Sequence, residues 1–259
     1  MAPLLRPEHR KLMAALDPTI SVIRGMQVSV ASNGLTINVS PGMCYVPGTG
    51  RIISDGMASV TLASPTPNTF YHLYAYAGAD GMLALEASAT PPAAPYLGTA
   101  RCKTGDLTRR YLASGRVNAA GVLRPAKHTR PAEMGNRVML DAASAAGSVP
   151  IPLLSGLVAV TPQNVDLSAV LPLTANRAIV QVLNPSSFTL YTSRSEVGAP
   201  SPTNYQYAAI AGSCPVLDVT LDANRQFTVL LSATNILGGI IALLTGSVSI
   251  NLVGYEFDR

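Results

Sequence analysis

Gly98-Thr99-Ala100-Arg101-Cys102-Lys103-Thr104-Gly105-Asp106-Leu107-Thr108-Arg109-Arg110-Tyr111-Leu112 is the densest charged run in the chain. It holds Arg101, Lys103, Asp106, Arg109 and Arg110 in a protein whose residues are only 12% charged. Gly105-Asp106 reads as a turn, because Gly tolerates positive φ and Asp can hydrogen-bond its own backbone. Tyr96-Leu97 before the run and Tyr111-Leu112 at its end are apolar anchors, so a β-hairpin is predicted here. Side chains alternate across a strand, which sends Arg109 and Arg110 to opposite faces. The inward arginine must be paired, and Asp106 or a carboxylate of a neighbouring chain is the expected partner. Arg101, Arg109, Arg110 and Asp106 are therefore the expected interface or junction residues. A hairpin with a solvated basic face is the plainer alternative.

Strands dominate on both sides of this run. Val28 and Val30, then Leu35, Ile37 and Val39, alternate around Asn33-Gly34, a strong hairpin signal. Further short strands are predicted at Val60–Leu62, Phe70–Tyr76 and Met82–Glu86, and a final one over Val248–Phe257. The 20 Pro and 21 Gly punctuate the chain without a collagen period, which suits many short strands. With 48% hydrophobic residues a real core is available. The predicted class is all-β: a short N-terminal helix, then two β-sandwich or jelly-roll-like domains joined by an extended linker. The expected boundaries are 1–18 for an attachment helix, 19–120 for a β-sandwich or barrel, 121–148 for the linker or arm, and 149–259 for a jelly-roll-like sandwich. The helix, Pro7 to Leu16, places Leu12, Met13 and Leu16 on one face beside Arg10. About ten residues are marginal alone in water, so it must dock on something. In the linker Arg124, Lys127, Arg130 and Arg137 recur at a spacing suited to an acidic groove on a partner chain.

Chemistry is sparse. His9, His72 and His128 fall on three separate elements, and Cys44, Cys102 and Cys214 are far apart with no Cys-x-x-Cys pair. No metal, catalytic residue or cofactor is expected. Asp55, Asp80 and Glu86 are open as a carboxylate pair of the kind a glycosidase needs, with nothing to select them. Three reduced thiols fit a protein made in a cytoplasm. The net charge of +4 lacks a long basic tract, so no nucleic-acid partner is expected. The apolar run Ile236–Leu244 is broken by Gly238-Gly239 and falls short of the ~20 residues of a spanning helix, so no membrane insertion is expected. Tyr71, Tyr74 and Tyr76 read as core residues with hydroxyls at the rim, and exposed stacking platforms are the alternative. Tyr191, Tyr205 and Tyr207 lie among Ser, Thr, Asn and Pro, a composition of adaptable recognition loops, and Ser193 to Tyr205 is the binding-loop candidate. Arg194, Asn204, Tyr205 and Tyr207 are its candidate contact residues.

Two further stretches complete a resemblance. Val39-Ser40-Pro41-Gly42-Met43-Cys44-Tyr45-Val46-Pro47-Gly48-Thr49-Gly50, the 98–112 run after it, and the ending Leu252-Val253-Gly254-Tyr255-Glu256-Phe257 together resemble segments of tailed-bacteriophage virion proteins of the fibre and tail-associated type. The resemblance covers residues 25 to 120 and the last strand. It implies a non-enzymatic virion component, a tail fibre or tail-attached protein, assembled in the host cytoplasm. Such a protein would dock through its N-terminal part and display a β-domain. A capsid decoration or head-fibre protein is the close alternative. A carbohydrate-active depolymerase or glycan-binding domain is the alternative of another class. The implied partners are other virion proteins (adaptor, nozzle, portal or capsid) and a host surface glycan. A homo-oligomer, a trimer, is expected because a mean hydropathy of +0.29 with so little charge leaves apolar surface to cover.

Overall fold

The computed structural model describes residues 22–124, 126–129, 136–140, 151–158, 161–232 and 247–259. The expected helix with Arg10, Leu12, Met13 and Leu16 lies outside them, as does the apolar run 236–244. The chain is all-β. Among the described residues the one helical turn is Ser195–Val197. The strands fall in two compact units, the first running through Asn136 and also taking Asp258–Arg259, the second running from Arg137 through Phe257.

The first unit holds β1 (Ile23–Gly25), β2 (Val28–Val30), β3 (Thr36–Val39), β4 (Gly42–Val46), β5 (Gly50–Ser54), β6 (Ala58–Thr61), β7 (Phe70–Ala77), β8 (Leu83–Ser88), β9 (Cys102–Lys103), β10 (Asp106–Arg116) and β11 (Ala126–Thr129). They pair in the orders β1-β4-β5, β8-β7-β10-β9 and β11-β2-β3-β6. β2 and β3 flank the Asn33-Gly34 turn, where Asn33 Oδ1 accepts the N–H groups of Leu35 and Thr36 at 2.9 and 3.0 Å. Ile37 and Val39 then point inward on alternate positions, meeting Met26, Cys44, Val46, Leu73, Leu112 and Val117 in one core. Gly42 is required by what crosses it. A Cβ there would lie 2.3 Å from the Arg24 carbonyl oxygen and 2.5 Å from the Met26 nitrogen. The Pro-Gly at 41–42 therefore lets β1 and β4 pass at backbone contact.

The second unit holds β12 (Asn136–Leu140, all but its first residue), β13 (Ile151–Leu157), β14 (Gln163–Asp166), β15 (Ala175–Leu183), β16 (Thr189–Arg194), β17 (Tyr207–Ala209), β18 (Val216–Thr220), β19 (Gln226–Ser232) and β20 (Val248–Phe257). One sheet runs β18-β15-β20-β12, with β13 also on β20, and the other runs β14-β19-β16-β17. Every pair whose register is fixed within either unit is antiparallel. The core gathers Val165, Val180, Leu190, Phe227, Val229 and Ile250.

The stretch 121–148, which shows no periodicity in sequence, contains two strands, β11 and β12. The pattern is hidden because an inward position of β11 is a histidine. His128 is buried, and its Nδ1 accepts the Val28 N–H at 3.4 Å. Arg137 on β12 is paired within the chain. Its guanidinium donates to Glu256 Oε1 at 2.7 and 3.0 Å and to Asp218 Oδ2 at 2.6 Å. Glu256 is only 5% exposed, so Arg137 supplies the charge that lets β20 bury a carboxylate.

Gly254 lies two residues before it, and there too a Cβ does not fit. A Cβ there would lie 2.6 Å from the Val138 carbonyl oxygen and 2.9 Å from the Met139 sulfur. Gly254→Ala should therefore cost about 1–3 kcal/mol, the range for forcing atoms into a packed interior. Chemical denaturation measures it, and an unchanged midpoint would mean that β12 does not pass over this glycine.

Candidate functional site

The run at 98–112 builds a polar cluster in the first unit. β10 starts at Asp106, whose Oδ1 accepts both the N–H and the hydroxyl of Thr108, at 2.9 and 2.6 Å. That is the local bonding by which Asp closes a turn. The partner strand is shorter than predicted: only Cys102–Lys103 are in β9, and residues 91–101 form an irregular segment. Three prolines between Pro91 and Pro95 remove the N–H groups a ladder needs.

Arg109 and Arg110 differ sharply in burial. Arg110 is 0% exposed, while the Arg109 side chain keeps 25% of its surface in solvent. The expected carboxylate partner belongs to the outer arginine. Arg109 donates from Nε to Glu86 Oε2 at 2.7 Å, has Asp106 Oδ2 at 3.9 Å, and places its guanidinium carbon 3.8 Å from the Tyr76 ring centroid. Lys103 pairs with the other oxygen of Glu86. Burial raises the Glu86 pKa, but the hydrogen bonds from Lys103 and Arg109 outweigh it and hold the carboxyl below its usual range. Glu86 is thus kept ionised, the opposite of what a general acid requires. Asp80, another carboxylate open in sequence, closes a turn by accepting the Met82 N–H at 3.0 Å.

Arg110 is satisfied differently. Its Nη1 donates to the Arg101 carbonyl oxygen at 2.8 Å, and its guanidinium stands 5.6 Å from the Tyr96 ring centroid. The same carbonyl accepts the Tyr111 N–H at 3.0 Å. Arg101 reaches back with Nη1 to the Ala93 carbonyl oxygen at 3.1 Å. Arg110 and Arg101 therefore lace the irregular 91–101 segment onto β10 through backbone carbonyls. Burial lowers the Arg110 pKa, with Tyr96, Cys44 and Cys102 acting against that shift. Burial also pushes the Cys44 and Cys102 thiols up, to about 12 and about 11, with Arg110 pulling each down. Both thiols stay protonated at neutral pH.

The tyrosines of β7 divide. Tyr74 is fully buried and donates its hydroxyl to the Thr90 carbonyl oxygen at 2.7 Å, whereas Tyr76 lies under Arg109. His72, buried beside them, has Nδ1 2.7 Å from Ser114 Oγ, which in turn lies 2.8 Å from the Tyr111 hydroxyl. Burial lowers the His72 pKa from 6.5 to about 4. An unfolded imidazole takes its proton near 6.5, so this group withdraws stability as pH falls from there toward about 4.

In the second unit the candidate recognition residues lie on a loop fastened at both ends. Arg194 pairs with Glu196, whose Oε1 accepts the Ala223 N–H at 3.1 Å. Ser201 Oγ accepts the Asn204 N–H at 3.0 Å. Gln206 donates its Nε2 to Thr220 Oγ1 at 2.6 Å. Between these ties Tyr205 is 48% exposed, its ring centroid 5.0 Å from that of Tyr191. Tyr207 is drawn into β17, opposite Thr192. The structure thus presents Tyr205 outward and draws Tyr207 into β17, while Arg194 pairs with Glu196 at the surface and Asn204 stays exposed with its backbone N–H tied to Ser201.

Among the described residues no three His, Cys, Asp or Glu side chains gather as a metal site needs. No helix among them is long and apolar enough to cross a membrane. No protein-family model, curated protein or solved structure matches the chain.

The two arginines give a direct contrast. Arg110→Ala should cost about 2–4 kcal/mol, from the cavity and the loss of a donor to the Arg101 carbonyl. Arg109→Ala should cost about 1 kcal/mol or less, because Lys103 still holds Glu86 and the pair is partly solvated. Urea titration of both variants measures the difference. Equal, small losses would reduce the run to a solvated hairpin.

Proposed function

We propose that this chain is a non-enzymatic structural component of a bacteriophage virion, a tail fibre or tail-attached protein that docks by its N-terminal part and displays a β-domain. One observation supports the reading: the distinctive residues of the three virion-like stretches are committed to holding strands and segments together. Arg110 holds the Arg101 carbonyl, Gly42 and Gly254 admit crossing strands, and Glu256 accepts Arg137. Residues spent on construction suit a building part. In the finer architecture, a docking helix in residues 1–18 precedes two jelly-roll-like sandwiches, at 19–120 and 149–259, joined by 121–148. The protein works as a homotrimer among other virion proteins, an adaptor, nozzle, portal or capsid, and needs no cofactor. A capsid decoration or head-fibre position uses the same parts. The exposed Tyr205 on its Tyr191 backing favours a second reading, in which the displayed domain binds a host surface glycan.

Light scattering of the purified protein should give three times the 26.9 kDa chain mass. Deleting residues 1–18 should leave the strand signature in circular dichroism intact while removing the protein from assembled particles. A stable monomer, or normal incorporation of the truncated chain, would contradict the reading.

A further inference from the structure

In the second unit, the sheet β18-β15-β20, with β13 also on β20, turns one face to its core and the other to solvent. Ala178, Val180 and Val182 of β15 are fully buried, so alternation puts Arg177, Ile179, Gln181 and Leu183 on the outer face. The registers carry two rows across the sheet from these positions. Val216, Gln181, Asn251 and Pro152 stand in one row, and Leu183 faces Ser249 in the next. The bridge between Asn184 and Ser213 sets Cys214 opposite Leu183, and Gln181 Nε2 donates to the Cys214 Sγ at 3.6 Å.

Neither row holds a charged residue. Val216 is 59% and Leu183 39% exposed, and Pro152 and Cys214 are exposed beside them. The charges of this face lie at its other end and are paired. Arg137 reaches Asp218 and Glu256, and Arg177 has Glu256 at 3.9 Å. Two cations and two anions leave the face with no net charge. Depletion of charge marks the centre of a contact patch better than hydrophobicity alone.

The charge pattern selects a second copy as the occupant. In a closed symmetric assembly, residues near the axis meet their own copies, so a charge there faces like charge at a cost. The two rows have none to oppose, in a chain of net charge +4. Residues 233–246 rejoin the described chain at Ser247, two residues before Ser249. They hold six Ile or Leu and no charged residue, so the sequence beside the face continues its character.

We propose that the outer face around Val216, Gln181, Leu183 and Asn251 is the surface through which copies of this chain associate. The inference rests on the trimer reading and places its contact. Val216 and Leu183 supply the apolar area, and Gln181, Asn251 and Ser249 supply groups that both donate and accept hydrogen bonds, so each matches its own copy.

Light scattering of the wild type and of Val216→Arg at one concentration tests the placement. The wild type should give three times the 26.9 kDa chain mass and the variant one chain. Met57→Arg, at a 73% exposed apolar residue of the first unit, should keep the wild-type mass. Should Val216→Arg lose its strand signature in circular dichroism, Leu183→Arg makes the same test. Thiol labelling gives a second readout. Cys44 and Cys102 are 0% and 1% exposed, so Cys214 reports alone in the folded chain. Its reaction with a maleimide should be severalfold slower in the wild type than in the dissociated variant. A trimer that survives both arginine substitutions on the face, or equal labelling rates, would overturn the placement and leave the trimer reading standing. A wild-type monomer would overturn both.

Discussion

A cation with no exposed surface fixes the first unit. Taking a guanidinium out of water costs several kcal/mol unless its donors are met. Arg110 meets that condition in part with the Arg101 carbonyl and the Tyr96 ring, both on the irregular segment 91–101, while its buried Nε makes no hydrogen bond. The dependence is mutual. The segment has almost no ladder of its own, apart from isolated bridges at Pro92–Lys103 and Leu97–Ala100. It is held by side chains reaching carbonyls: Arg110 to Arg101, Arg101 to Ala93, Thr104 to Pro91. Without the segment Arg110 would lose the Arg101 carbonyl and the Tyr96 ring, and without Arg110 the segment would keep only its backbone ties, such as Ala93 N–H to the Cys102 carbonyl.

The same device recurs where other strands need fixing. In the second unit Arg137 spans from β12 to Glu256 on β20 and Asp218 on β18. Asp218 lies opposite Ile179 of β15, so one guanidinium ties the two strands that flank β15. In the first unit Arg259 donates to the carbonyls of Met26 and Gly25, at 2.9 and 3.2 Å. Those carbonyls lie where Gly25 and Met26 take φ values of 67° and 49° beside Gly42. A chain with few charges uses arginine as an internal fastener, because one planar fork supplies several donors that an apolar side chain cannot.

What the sequence made legible follows from local rules. The Asn33-Gly34 and Gly105-Asp106 turns, and the alternation of Ile37 and Val39, depend on residues next to each other in the chain. So does the separation of Arg109 from Arg110. The partners of those arginines were not legible, because Glu86 and the Arg101 carbonyl are chosen by the pairing of β7, β8, β9 and β10. Glu86 looked like any lone carboxylate until β8 set it opposite Tyr74, within reach of Lys103 and Arg109. β11 and β12 escaped notice since hydrophobic periodicity does not register an inward histidine or a strand whose main tie is an ion pair. In the 193–207 segment, composition marked an irregular stretch rich in surface residues. Which tyrosine faces solvent depended on Tyr207 joining β17, a tertiary choice.

The central claim is that Arg110 holds the 91–103 segment to β10 through backbone carbonyls. Hydrogen–deuterium exchange of Arg110→Met, a variant that fills the space without the donors, tests it most directly. The account predicts faster exchange at Ala93, Tyr96, Ala100 and Tyr111, whose N–H groups bond within this patch, with the β4-β5 hairpin still protected. Protection unchanged at those four amides, or lost evenly across the whole first unit, would contradict it.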